Sequence, residues 1–143
     1  MELLEVLQKR RSIRKYTGEP IPDEKLTAII QAGLLSASSR SFRPWELIVI
    51  KDRETLEKLS LSRKNAAFML ENSDVAIVVI GDTELSTTWI EDCSVVLSNM
   101  HLMADSLGIG SCWVQGRVRN SRDGRTTDEC VRELLGYPEK YQL

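Results

Sequence analysis

Arg10, Arg11, Ser12, Ile13 and Arg14 place three guanidinium groups and a hydroxyl within one short stretch. Guanidinium forks grip phosphate oxygens in pairs, and a hydroxyl or a nearby backbone N–H completes such a site. The chemistry this points to is the capture of a phosphate-bearing ligand. The competing reading is a helix C-terminus whose basic residues complement the macrodipole, an effect of roughly 0.3–1 kcal/mol. A second stretch rich in polar groups carries Ser36, Ser38, Ser39 and Ser41 with Arg40 and Arg43, and reads on its own as a solvated loop. Arg117, Arg119, Arg122 and Arg125 crowd a third, also read as solvated. No Ser/His/Asp or paired-carboxylate constellation stands out. His101 is the only histidine, and Cys93, Cys112 and Cys130 lack CxxC spacing, so no zinc-site pattern can be drawn and no metal is expected.

The elements that must position these groups follow from periodicity. Leu3, Leu4, Val6 and Leu7 recur at helical spacing, so residues 2–10 read as a short amphipathic helix that delivers the arginines to a turn. Pro22, Asp23 and Glu24 open a second helix with an apolar stripe of Leu26, Ile29, Ile30 and Leu34, running out near Ser36. Pro44 lets no helix continue, and Trp45 to Ile50 reads as a strand. Asp52 is placed to cap a helix over 53–62, and 65–71 reads as another helical turn or two. Val75 to Ile80 is a near-continuous apolar strand, expected to be central and buried on both faces, with Gly81 and Asp82 ending it.

Residues 87–107 form a long helical pattern that is apolar on more than one face, which predicts a core helix or part of a subunit interface. His101 lies inside it and reads as structural. Gly108 and Gly110 break it; they follow a helix where a dinucleotide fingerprint needs a strand. Ser111 to Gln115 is the next expected strand. A helix over 127–135 is closed by Gly136 and Pro138, and Tyr141 to Leu143 looks like the start of a further strand. Three or four strands interspersed with helices predict an α/β or α+β domain, a small sheet covered by helices.

The length of 143 residues suits one domain, here 1–143, with a core that needs no staples. A net charge of −2 argues against nucleic-acid binding by bulk charge and makes the arginine cluster a local positive spot suited to a small anion. The odd cysteine count fits reduced thiols in the cytoplasm, with Cys93 and Cys112 read as buried small hydrophobes. There is no charged-then-apolar signal pattern at the N-terminus, and the longest apolar run is too short to span a bilayer.

Four blocks in register resemble the flavin-dependent nitroreductase family, which includes NAD(P)H:FMN oxidoreductase-like proteins. They are Arg10 to Tyr16 after a short helix, Ala37 to Trp45 before the first strand, Glu91 to Ser94 leading into the long helix with Leu107 to Gln115 beyond it, and Leu135 to Glu139. The resemblance implies a nitroreductase-like α+β fold, with a small, mostly antiparallel central sheet covered by helices and a long core or interface helix. It implies a homodimer with FMN at the subunit interface. Arg10, Arg11 and Ser12 would hold the FMN phosphate and ribityl chain, and Arg14 the phosphate or the pyrimidine end of the ring. Ser38, Ser39 and Ser41 would reach that flavin from the partner subunit. Trp113, Gln115 and Gly116 would line the flavin face opposite the substrate, although Trp113 taken alone reads as core. One arginine of the 117–125 loop is available to a nicotinamide cofactor's phosphate.

On this likeness the expected activity is hydride transfer from NAD(P)H through flavin N5 to a nitroaromatic, quinone or similar acceptor in ping-pong fashion. The cofactor carries the chemistry, so no catalytic side chain is needed. The alternative is a non-catalytic flavin or nucleotide binder, a sensor or storage protein. Two departures from the family bear on this. Ser41 and Arg43 stand where relatives usually have amides, and Arg43 brings charge to the pocket. The chain also stops at Leu143, where relatives continue through a strand into an arm, so that strand and arm are expected to be absent.

Overall fold

The computed structural model describes residues 2–143. Its first helix, α1, covers Leu3–Lys9 and commits little to the interior: Val6 is buried, whereas Leu3, Leu4 and Leu7 stay exposed. Helix α2 (Asp23–Leu34) buries Leu26, Ile29 and Gly33. At Gly33 the long helix α4 (Trp89–Ser106) packs against bare backbone, since a Cβ there would stand 2.9 Å from Met100 Cγ. Strand β1 (Trp45–Ile50) leads to α3 (Arg53–Ser60), whose cap is Asp52: its carboxylate accepts the Thr55 N–H at 2.9 Å. A 3-10 turn at Phe68–Asn72 precedes β2 (Ala76–Asp82), which runs through the two residues expected to end it.

Helix α5 (Thr127–Leu135) begins with a reciprocal cap between Thr126 and Glu129 and ends at Gly136 in the left-handed conformation, φ 77°. Asp128 then ties the end of the chain down. It accepts from Tyr137 Oη and from the Leu143 N–H, both at 2.8 Å, and pairs with Arg132 at 2.7 Å. This holds β3 (Tyr141–Gln142) against β2.

The sheet is antiparallel throughout in the order β1-β2-β3. Strand β2 is central, as its apolar run predicts, and its side chains alternate between two cores. Val78 and Ile80 enter a cluster with Leu56, Leu59, Val131 and Tyr137 under α3 and α5. Val79 enters another with Ile29, Trp45, Cys93, Val96 and Met100 under α2 and α4. The molecule is therefore α+β, a three-stranded sheet with helices on both faces.

One expected strand does not form. Ser111 to Gln115 joins no ladder. Strand β3 pairs with β2 only at Gly81 and Asp82, so nothing in the sheet hydrogen-bonds to Ser111 to Gln115; Ala76 to Val79 and Ser111 to Gly116 both line a cavity of about 710 Å³.

Candidate functional site

Helix α4 organises the polar groups at both of its ends. Near its start, Asp92 is buried; one carboxylate oxygen accepts the Ser39 N–H at 3.2 Å and the other the Thr88 hydroxyl at 3.0 Å. This pins a tight loop in which Arg40, Ser41 and Arg43 all have positive φ (52°, 54° and 47°). Side-chain-bearing residues reach that region only at a cost of roughly 1–2 kcal/mol each, so the surrounding contacts must hold them there. Ser38 supplies one such contact, its hydroxyl oxygen accepting the Arg43 N–H at 2.9 Å.

About two and a half turns further along, α4 meets the basic turn. His101 stands between two partners: Arg10 Nη1 lies 2.9 Å from its Nε2, and Ser111 Oγ lies 2.5 Å from its Nδ1. The Ile13 N–H donates to the Ser111 carbonyl at 2.9 Å. Gly110 makes this approach possible, since a Cβ there would stand 3.0 Å from Ile13 Cγ2. Burial, and then the Arg10 charge, depress the His101 pKa, with Asp105 opposing.

Among the described residues Arg10, Arg11 and Arg14 form no salt bridge. Arg11 folds back instead, donating to the carbonyls of Gln8 and Arg10 at the end of α1. This is the helix-terminal role that competes with ligand binding for this residue. Ser12 and Arg14 are exposed, whereas Arg10 is half-buried.

Trp113, Gln115 and Gly116 border the 710 Å³ cavity, and Gly116 leaves room for the Leu143 side chain where a Cβ would otherwise stand. Trp113 is 38% exposed, so it is not core; its indole N–H donates to Gln115 at 3.2 Å. Cys112 is also half-exposed, contrary to its reading as a buried hydrophobe, because the segment carrying it lies outside the sheet. Cys93 is buried as expected. Burial, and then the Asp92 charge, push its thiol up to about 12. Burial, and then Cys112, push Tyr16 on the cavity wall up to about 12 as well, against the pull of Arg14.

The expected site residues thus fall into three groups. Arg10, Arg11, Ser12 and Arg14 occupy the turn after α1, and Trp113, Gln115 and Gly116 the segment linked to that turn through Ser111. Ser38, Ser39, Ser41 and Arg43 lie apart from both. Asp92 and His101 are nine residues apart on α4, so within one chain the loop and the turn are separated by about 13 Å along the helix. Of the residues that organise the groups, the sequence reads His101 only as structural and Gly110 as a helix stop, and gives Asp92 and Ser111 no role of their own. Asp92 had a visible signal, an acid in the first turn of a long helix. The His101 partners lie 91 residues before and 10 residues after it, so no local pattern announces them.

A family model described as the nitroreductase family matches residues 7–66 and 61–143. The chain is 46% identical to an FMN-dependent nitroreductase from Clostridium difficile R20291, with a TM-score of 0.94 over 97% of this chain and 81% of that one. It is 40% identical to a provisionally named NADH dehydrogenase/NAD(P)H nitroreductase of Archaeoglobus fulgidus, over 96% of this chain and 78% of the relative. The NADPH:FMN oxidoreductase of Vibrio harveyi, solved with NAD+, is 30% identical with a TM-score of 0.85, over 98% of this chain and 64% of that one.

Proposed function

This chain belongs to the nitroreductase family, and from that premise we propose that it is an NAD(P)H-dependent oxidoreductase that holds FMN and acts as one flavin-binding domain over residues 1–143. The observation that carries the reading is the basic turn. Its three guanidiniums have no carboxylate partner among the described residues, and Ser12 offers an exposed hydroxyl beside them. That donor set suits a phosphate monoester and would stay self-repelling without one.

When bound, FMN supplies hydride chemistry between NAD(P)H and an acceptor such as a nitroaromatic or quinone, in two half-reactions of a ping-pong cycle. The chain's own residues bind and orient. Arg10, Arg11 and Ser12 take the phosphate and ribityl end, and Arg14 sets a cation toward the phosphate or the pyrimidine edge, where charge accumulates on reduction. Trp113, Gln115 and Gly116 flank the ring. On this reading Ser38, Ser39, Ser41 and Arg43, whose anchor Asp92 stands about 13 Å along α4 from His101, serve the flavin of the partner subunit in a homodimer. The strained backbone of that loop supports a binding role. No helix among the described residues is long and apolar enough to cross a membrane, and the three free cysteines suit the cytoplasm.

Steady-state oxidation of NADH or NADPH by the FMN-loaded protein, with menadione or a nitroaromatic as acceptor, tests the activity. Turnover with parallel lines in double-reciprocal plots is expected. Flavin bound without turnover would instead mark a sensor or storage protein.

A further inference from the structure

His101 is the only histidine in the chain, and it sits where the basic turn, α4 and the 108–113 segment meet. A guanidinium has N–H donors and no acceptor, so the hydrogen bond from Arg10 requires an unprotonated Nε2. The ring proton then belongs on Nδ1, where it donates to Ser111 Oγ. Ser111 is itself held, its carbonyl accepting the Ile13 N–H. The result is a closed circuit. The turn is clamped to Ser111 through its backbone, and Ser111 is clamped to the turn's first arginine through the imidazole. Arg10 makes no other side-chain hydrogen bond among the described residues, so four of its five N–H donors remain uncommitted.

We propose that His101 is a positioning residue for phosphate binding: neutral and oriented by Ser111, it accepts one hydrogen bond from Arg10 and so holds that guanidinium ready for a phosphate monoester. The inference rests on Arg10 as a phosphate ligand, as argued above, and adds the group that fixes its geometry. An arginine side chain free to rotate would lose its rotamer entropy on capture; one already held loses less. Protonation of the ring breaks the arrangement, because Nε2–H would then confront the Arg10 N–H, donor against donor. The charges acting on the ring are Arg10, from the turn after α1, and Asp105, one helical turn along α4. From the 108–113 segment the facing group is the uncharged Ser111.

A single histidine makes the test direct. In uniformly 15N-labelled protein the imidazole nitrogens give one set of resonances, which report the tautomer and its titration. The Nδ1–H tautomer is expected in the neutral ring, with a pKa below the usual value of about 6.5. Arg10→Ala should raise that pKa by removing the adjacent cation, and Ser111→Ala should weaken the tautomer preference. In parallel, FMN and the phosphate-free analogue riboflavin are titrated by flavin fluorescence into wild type, His101→Gln and His101→Leu. His101→Gln keeps an acceptor near the Nε2 position, whereas His101→Leu removes it.

The expected result is FMN affinity lowered about tenfold in His101→Leu and largely restored in His101→Gln, with riboflavin affinity alike in all three. A His101 pKa that ignores Arg10→Ala overturns the inference whatever the flavin does. So does FMN affinity unchanged in His101→Leu, or an equal loss for FMN and riboflavin, which would mark a structural role. Wild-type protein that binds FMN no better than riboflavin would instead remove the phosphate role of Arg10, and this proposal with it.

Discussion

Arg10 carries the heaviest demand of any single residue, because it is the one arginine of the turn that is both half-buried and held in place. Arg10→Ala should weaken FMN binding by about ten- to a hundredfold, the range expected for losing charge-assisted hydrogen bonds worth roughly 1.5–3 kcal/mol; fluorescence titration reads this. Arg11→Ala should cost less, since Arg11 already donates to the carbonyls ending α1.

The neutral state of His101 also makes a prediction about stability. Its pKa is lower in the folded protein than in the unfolded chain, so on acidification the unfolded chain takes up a proton first. The contribution is present above the unfolded pKa of about 6.5 and is lost as pH falls through the folded value. Urea midpoints taken between neutral and mildly acidic pH should therefore drop more for wild type than for His101→Gln. Equal drops would contradict a depressed pKa. Thiol chemistry separates the cysteines in the same way: iodoacetamide should label Cys112 and Cys130 in the native protein while Cys93, buried and held protonated, reacts only on unfolding.

At the scale of elements, the 36–44 loop and α5 make separate claims. The loop is held in left-handed backbone by Asp92 and Ser38. Asp92→Leu would strand the Ser39 N–H and leave the Thr88 hydroxyl only its Ser86 partner, at a cost of about 1–3 kcal/mol. Trypsin should then cut after Arg40 faster than in wild type, and an unchanged cleavage rate would argue against Asp92 as the loop's anchor. The α5 cap is independent of the site. Thr126→Ala should cost about 1 kcal/mol, read as a Tm lowered by roughly 3 °C with FMN binding unchanged.

These two elements also differ in how far the sequence exposes them. Thr126, Glu129, Gly136 and Pro138 spell out the limits of α5 in local chemistry, and the structure follows them. Arg40, Ser41 and Arg43 adopt a conformation that local composition does not encode; it is imposed from Asp92, 53 residues beyond Ser39 in sequence. Ser111 to Gln115 failed for a related reason. Its apolar, β-prone residues predict a strand, but a ladder needs a neighbouring edge at hydrogen-bond distance, and neither β1, β2 nor β3 pairs with it.

For the whole molecule, the fold class and the central position of β2 were legible because burial on both faces leaves an unbroken apolar run. The grouping of the site was not legible in local pattern: only the family resemblance set the basic turn and the 36–44 loop on different subunits around one flavin, and within one chain their anchors on α4 stand about 13 Å apart. The proposed homodimer is tested by the state of assembly. Sedimentation velocity is expected to give the mass of two chains, and a monomer at all concentrations would leave the loop without a flavin to serve. The most direct test of the central claim, that the basic turn grips the phosphate of FMN, is the visible spectrum of the 143-residue protein after incubation with excess FMN and desalting. Flavin absorption that co-elutes with wild type and is lost from Arg10→Ala is the predicted result; a colourless wild-type protein, or equal colour in both, would contradict it.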